Sequence, residues 1–226
     1  MREPAVIPGY VDDDGTDKRC DSIADYRADM GYGSLTIDQV LQNFQREFND
    51  MVNSVDIYGG FYVGRYETSE NYGSIKESKT INTTNWYTLY KGQKKLSTNS
   101  RTTGMIYGCQ WDAIMNWMLQ DDNTKAYVTD SLDMGWYGEG RTSGYQYITG
   151  QDLGEDAKNK VKNIYDMAGG YVEWTQEADN RAGRILRGGW YGSEAAGSLM
   201  DVSDTSSNYP YNKIVTISSR LYLVIV

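Results

Sequence analysis

The 226-residue chain contains no histidine and only two cysteines, Cys20 and Cys109. The missing histidine excludes Ser-His-Asp and Cys-His nucleophile systems and histidine-ligated zinc or iron sites. The cysteine count excludes a disulfide scaffold and a four-cysteine metal site, although the two cysteines could pair with each other. Cys109, at the start of a predicted helix, could have a lowered pKa, but a half-buried, inert thiol is the simpler interpretation.

Long apolar runs and an excess of positive charge are also lacking. No stretch approaches the roughly 18 apolar residues of a membrane span. The first ten residues lack the basic-then-apolar start of a secretory signal. The chain has 22 Lys and Arg residues against 31 Asp and Glu residues, a net charge of -9. We therefore expect no membrane insertion and no nucleic-acid partner, because nucleic acids bind basic surfaces that displace counterions.

Tyrosine dominates the aromatic residues, with 20 Tyr against 6 Trp and 3 Phe. Tyrosine suits binding surfaces because it combines a large contact area, few rotatable bonds and a polar tip. A β-rich fold with half-buried tyrosines would show the same bias, since tyrosine favours strands. Composition alone leaves both interpretations open.

One long helix and several shorter elements are predicted around long loops. Thr36 and Gln39 match a capping box, and apolar residues then recur at helical spacing, which predicts a helix over residues 37–54. The other predictions are a strand over 61–68, a short element over 86–90, a helix over 109–119, a helical turn over 155–162, and strands over 184–186 and 221–226. We expect residues 1–35 to form an N-terminal extension and residues 36–226 to form one α+β domain.

Several motifs in sequence order resemble a known family. They are residues 60–68 (GFYVGRYET), 107–117 (YGCQWDAIMNW), 163–175 (NIYDMAGGYVEWT), 184–191 (RILRGGWY) and 219–223 (SRLYL). Together they resemble the formylglycine-generating-enzyme/sulfatase-modifying-factor family. The resemblance implies a C-type-lectin-like fold with two main helices, short antiparallel strands and long loops. The enzyme branch uses a late cysteine pair and related sulfoxide synthases use histidines; this chain has neither, so we expect the fold without the catalysis.

A second branch of the same fold matches better. Residues 58–68 (YGGFYVGRYET), 174–178 (WTQEA) and 218–223 (SSRLYL) are similar to variable proteins of diversity-generating retroelements, which occur in phages and gut bacteria. In those proteins, errors at template adenines rewrite the 3′ end of the gene, and the fold displays the changes as a binding surface. The resemblance implies a non-catalytic protein, at a virion tail or a bacterial cell surface, that binds a protein or glycan on a host or neighbouring cell. An oligomer is compatible with this role.

The predicted variable ligand-binding region is residues 187–220, which have the small polar and aromatic composition of an antibody-like paratope. The candidate contact residues are Trp190, Gly192, Ser193, Asp201, Ser203, Asp204, Ser206, Asn208, Tyr209, Tyr211 and Asn212. All of them except Trp190 are residue types that an AAC or AAT codon can come to encode when only its adenines change. The alternative is an ordinary surface loop rich in Ser, Gly and Asn.

Asp166, Gly169, Tyr171 and Glu173 are candidate metal ligands. In the enzyme branch the corresponding positions hold calcium through two side-chain and two backbone oxygens, so the resemblance implies a structural calcium and no other cofactor. The simpler interpretation is that Asp166 and Glu173 accept hydrogen bonds from the backbone or from an arginine, with Arg187 as a candidate partner of Glu173. A formylglycine-generating-type oxidase and a calcium-dependent glycan-binding lectin remain the alternative functions.

Overall fold

The structure is a computed structural model that describes residues 36–82, 84–118, 120, 160–165, 167, 171–178, 184–188, 207–208 and 217–226. In these residues the chain is mixed helix and sheet, the α+β class that the sequence predicts. The helices are α1 (Ile37–Tyr58), α2 (Trp86–Lys94) and α3 (Gly108–Met118). The strands are β1 (Tyr62–Val63), β2 (Arg101–Met105), β3 (Lys160–Val161), β4 (Ile164–Tyr165), β5 (Val172–Ala178), β6 (Arg184–Arg187), β7 (Ser207–Asn208), β8 (Ile217–Ser219) and β9 (Leu221–Ile225).

Helix α1 begins where the sequence predicts and ends four residues later than predicted. The Thr36 hydroxyl accepts the Gln39 backbone N–H at 3.3 Å, and the Gln39 side-chain oxygen accepts the Thr36 N–H at 2.8 Å. These two bonds are the predicted capping box. At the other end Gly59 has φ +79° and donates its N–H to the Val55 carbonyl, which closes the helix. No helix in the described ranges is long and apolar enough to cross a membrane.

Two sheets meet at a single residue near the C-terminus. The first has the order β1-β9-β2 and is antiparallel. The second has the order β7-β6-β5-β8, in which β5 and β8 run parallel. A separate hairpin joins β3 to β4. Since β8 ends at Ser219 and β9 begins at Leu221, Arg220 joins the two sheets.

One cluster of the hydrophobic core lies between α1, α2 and the second sheet. Trp86 is fully buried and stacks on Tyr90 at 4.7 Å between ring centroids, and Phe44 from α1 packs on both rings at 5.8–6.1 Å. The Trp86 indole N–H donates to the Thr175 carbonyl in β5 at 2.9 Å. Helix α2 is therefore tied to the second sheet by both packing and a buried hydrogen bond.

The strand predicted over 61–68 is wrong in length. Only Tyr62–Val63 pair with β9, and the chain then moves from the first sheet to the second. The Gly64 N–H still donates to Leu221 in β9, but the Thr68 N–H donates to Ser219 in β8 at 2.9 Å. The Gly64 and Thr68 N–H groups thus find partners in the two sheets without a continuous strand between them.

Two further predictions need correction. Strand β2 lies in a polar region for which the sequence predicts no element. Its pairing with β9, rather than local hydrophobicity, defines it. The helical turn predicted over 155–162 is wrong at its described end: Lys160–Val161 form β3, and Lys162 and Asn163 have φ of +46° and +71° in a tight turn. Residues 155–159 lie outside the described residues. The predicted C-terminal strand is confirmed as β9, with Tyr222 and Val224 buried.

Helix α2 packs closely against the loop that precedes it, and this contact is testable. A Cβ at Gly92 would overlap the ring of Tyr72, whereas a Cβ at Gly60 would meet no atom within 4 Å. We expect Gly92→Ala to lower the free energy of unfolding by about 1–3 kcal/mol, since the steric cost exceeds the gain in helix propensity. Urea unfolding measures this, with Gly60→Ala as the control. Equal stability of the two variants would contradict the packing described.

Candidate functional site

The second sheet holds both ends of the segment of residues 189–216, here called the C-terminal segment. Strand β6 leads into it through Arg187, which lies beside Glu173 of β5. Strand β8 receives it at Ile217, which lies beside Val172, the neighbour of Glu173 in β5. The stems, Arg187–Gly188 and Ile217–Ser218, thus flank β5 at the same end of the sheet. At the usual strand spacing of about 4.8 Å they lie about 10 Å apart.

Arg220 fixes the stem that follows the C-terminal segment. Its guanidinium is fully buried and binds both oxygens of the buried Glu173 carboxylate, with Nη2–Oε1 at 2.6 Å and Nε–Oε2 at 3.1 Å. It also donates to the backbone carbonyls of Gly64 at 3.0 Å and Tyr165 at 2.9 Å. One side chain therefore connects β5, β8, β4 and the chain crossing after β1.

Arg187 fixes the other stem, but its partner is not the one that the sequence suggested. Its Nη2 and Nε donate to Glu177 Oε2 at 2.7 and 3.2 Å, and its Nη1 lies 3.6 Å from Asp112 Oδ1. The predicted Arg187–Glu173 pair is therefore wrong, because Glu173 binds Arg220 instead. The Glu177 carboxylate lies against Gly108 at the start of α3, where the helix dipole favours a negative charge.

Arg184, the first residue of β6, is also held by buried contacts. Arg184 is buried, and its guanidinium lies 4.2 Å from the Trp86 ring centroid and 4.9 Å from that of Phe44. Its Nη1 donates to the Gln176 carbonyl at 2.8 Å. Cation–π contacts of this kind strengthen when they are removed from water. Strand β6 is therefore held at both ends by buried arginines.

Gly188 ends β6 in a conformation that favours glycine. Its φ is +82°, and a Cβ there would lie 3.1 Å from the Met167 carbonyl oxygen and 3.3 Å from the Trp111 ring. Both the dihedral angle and the space therefore select glycine. The chain leaves the sheet at this point in a fixed direction.

The candidate contact residues lie outside the described residues, with one exception. Asn208 lies in β7, whose backbone pairs with Arg184 and Ile185 at the outer edge of the second sheet. The others are Trp190, Gly192, Ser193, Asp201, Ser203, Asp204, Ser206, Tyr209, Tyr211 and Asn212. The structure thus places the ends of the predicted binding region and one point within it.

The candidate metal ligands are described only in part. Asp166 and Gly169 lie outside the described residues. Tyr171 is half-buried and donates its N–H to Glu67 Oε1 at 2.8 Å. Glu173 accepts hydrogen bonds from Arg220, as the simpler interpretation of the sequence predicts. In the described part of the chain no three Cys, Asp or Glu side chains are grouped as a metal would require, and the calcium site stays a prediction.

Cys109 is half-buried in the first turn of α3, and its partial burial raises the pKa of its thiol. The thiolate is the nucleophilic form, so this cysteine is poorly activated. The half-buried position is confirmed, and a lowered pKa is wrong because burial exceeds the effect of the helix start. Cys20 lies outside the described residues.

Sequence reasoning missed Glu177, Arg184 and Glu67 as framework residues. All three are charged and fully or almost fully buried. The signal available was partial: the alternation in residues 172–178 places Glu173 and Glu177 on the face of a strand opposite its apolar residues. Charged residues are fully buried almost only when they are paired, so the burial of this face is what implies partners of opposite charge.

The buried Arg220–Glu173 pair predicts a large and specific loss of stability. Arg220→Met leaves a buried carboxylate without its cation, and we expect a loss of about 3–5 kcal/mol in the free energy of unfolding. Arg101→Met, at an exposed arginine of β2, is the matched control and should change stability little. Urea unfolding of both variants and of Arg220→Met/Glu173→Gln measures this. A double variant no more stable than Arg220→Met would contradict the account, since it removes the unpaired charge.

Gly188 allows a second prediction about the stems. Gly188→Ala should lower the free energy of unfolding by about 1–3 kcal/mol, because alanine is strained at positive φ. Gly60→Ala again provides the control, since Gly60 has no positive φ and no close neighbour. A thermal melt that shows the two variants equal would mean that Gly188 does not fix the exit of the segment.

Comparisons with known proteins give a limited result. No protein-family model matches the chain. No curated protein matches it either. Among solved structures it is similar to Treponema denticola variable protein 1, at 20% sequence identity and a TM-score of 0.38. The match covers 63% of this chain and 54% of that protein, so this chain spans about half of that protein's length. This likeness is too low to assign the chain to a family.

Proposed function

We propose that this protein is a non-catalytic ligand-binding protein with a C-type-lectin-like fold, and that the C-terminal segment is its variable binding surface. The observation that carries the proposal is the placement of the two stems. Both lie at one end of the second sheet, each beside a buried arginine–glutamate pair. A rigid frame that presents a long segment of small polar and aromatic residues is the arrangement of a binding loop on a scaffold.

The anchoring contacts support variation within the segment. Arg220 binds Glu173 and two carbonyls, and Arg187 binds Glu177 and approaches Asp112. All of these groups belong to residues outside 189–216. Substitutions within the segment therefore leave these anchors in place, as a surface that changes its ligand requires.

The segment itself supplies the recognition chemistry. Trp190, Tyr209 and Tyr211 provide large contact areas at low conformational cost, and Ser, Gly, Asn and Asp residues between them provide adaptable hydrogen bonds. We propose a protein or glycan on a host or neighbouring cell as the ligand. A virion tail or a bacterial surface is the proposed setting.

The proposal also places the source of variation in the gene. We propose that a retroelement copies a template of the 3′ end with errors at adenines. Codons for Arg187 and Arg220 should then stay constant, since loss of either guanidinium leaves a buried carboxylate without its cation. The codons of the segment that lie opposite template adenines should vary by comparison.

Sequencing the 3′ end of the gene and its flanks across a natural population tests this function. We expect variation confined to positions opposite template adenines within the segment, a near-copy of the 3′ end close by, and a reverse-transcriptase gene beside it. Constant codons for Glu173, Arg187 and Arg220 are the internal control. An invariant segment without a template copy would contradict the proposal, as would equal variation in the framework codons.

A further inference from the structure

A small basic surface lies at the β3–β4 turn, outside the C-terminal segment. We call it the hairpin surface and define it by Arg65, Lys160, Lys162 and Trp117. Arg65 and Lys160 are exposed, and Trp117 is 43% exposed. The described residues of the proposed binding site do not include any of the four.

Arg65 is held in one orientation from two sides. Its Nε donates to the Asn163 carbonyl in the turn at 3.0 Å. Its guanidinium carbon lies 5.6 Å from the ring centroid of Tyr66 and 5.9 Å from that of Tyr165, and these two rings pack on each other at 5.0 Å. A guanidinium fixed over aromatic rings loses little entropy when it binds a carboxylate through its remaining N–H groups.

Lys162 precedes Asn163, the residue whose carbonyl accepts from Arg65, and its side chain is held by Trp117. Its ammonium donates to the Trp117 carbonyl at 2.6 Å and lies 5.0 Å from the Trp117 ring centroid. Lys160 precedes it in β3, opposite Tyr165. Lys162 is therefore oriented against an exposed indole, while Arg65 and Lys160 lie at other residues of the same hairpin.

The cations of the hairpin surface have no carboxylate partner among the described residues. Lys76, which is close enough to Tyr66 and Tyr165 to interact with them electrostatically, instead forms an ion pair with Glu77 at 2.6 Å. The chain as a whole carries a net charge of -9. Among the described residues the hairpin surface is therefore positive, on a chain that is acidic as a whole, which favours a ligand with a few clustered negative charges.

We propose that the hairpin surface docks an acidic peptide segment of a partner protein, with carboxylates on Arg65 and Lys162 and an apolar side chain on Trp117. Arginine and tryptophan are the residues that most often dominate protein–protein interfaces. A long anionic polymer or an anionic membrane fits less well, because the rest of the chain repels it. The surface lies outside the segment that we propose varies, so it suits a partner that stays the same.

Fluorescence anisotropy tests the proposal with a labelled peptide of repeated Glu-Glu-Leu and a Gln-Gln-Leu peptide as its control. We expect the full chain to bind only the acidic peptide, more tightly at low salt. Arg65→Gln and Lys162→Gln should each weaken binding about three- to tenfold, and Trp117→Ala should weaken it at all salt concentrations. Lys95→Gln, at an exposed lysine after α2, should leave it unchanged. The circular dichroism spectrum checks that each variant is folded.

Three outcomes would overturn the proposal. One is that Lys95→Gln weakens peptide binding as much as Arg65→Gln does, which would mean that positive charge anywhere on the surface is sufficient for binding. Another is tighter binding of heparin or anionic vesicles than of the peptide, lost in the same variants. The third is binding that appears only in Asp121→Asn/Asp122→Asn, since the chain's own carboxylates would then be the occupant. None of these outcomes depends on whether the C-terminal segment binds a ligand.

Discussion

The buried guanidinium of Arg220 is the constraint on which this structure depends. Arg220 lies between β8 and β9 and is fully buried. Its N–H donors therefore need protein acceptors at the place where the two sheets meet. The Glu173 carboxylate and the carbonyls of Gly64 and Tyr165 supply its acceptors. Each acceptor comes from a different stretch of chain. The folded state therefore brings these stretches together or leaves a charge buried without partners.

The Arg187–Glu177 ion pair follows from the Arg220–Glu173 pair. With Glu173 committed to Arg220, Arg187 reaches Glu177, whose carboxylate also lies at the start of α3. The Arg187–Glu177 pair lies at the stem before the C-terminal segment, and the Arg220–Glu173 pair lies at the stem after it. Together they fix both ends of the segment. Such pairs add specificity of arrangement more than net stability. This is the property that a scaffold needs if its binding surface changes while its frame does not.

The sequence predicts the local features of this fold well and the long-range ones poorly. The cap at Thr36 and the start of α1 follow from residues a few positions apart, and they are confirmed. The partner of Arg187 and the strand β2 depend on pairing between distant residues, which periodicity does not report. For the candidate site, the motifs at 184–191 and 219–223 fall at the two stems, whereas the contact residues, including Asn208, and the calcium site remain predictions.

The central claim is that the frame folds independently of the sequence between its stems. Replacing residues 190–206 and 209–216 with Gly-Ser sequence of equal length, then following urea unfolding by circular dichroism and tryptophan fluorescence, tests this most directly. The account predicts one cooperative transition, coincident by both probes, with a midpoint near that of the original chain. A chain that no longer unfolds cooperatively would contradict it, because the segment would then be part of the frame.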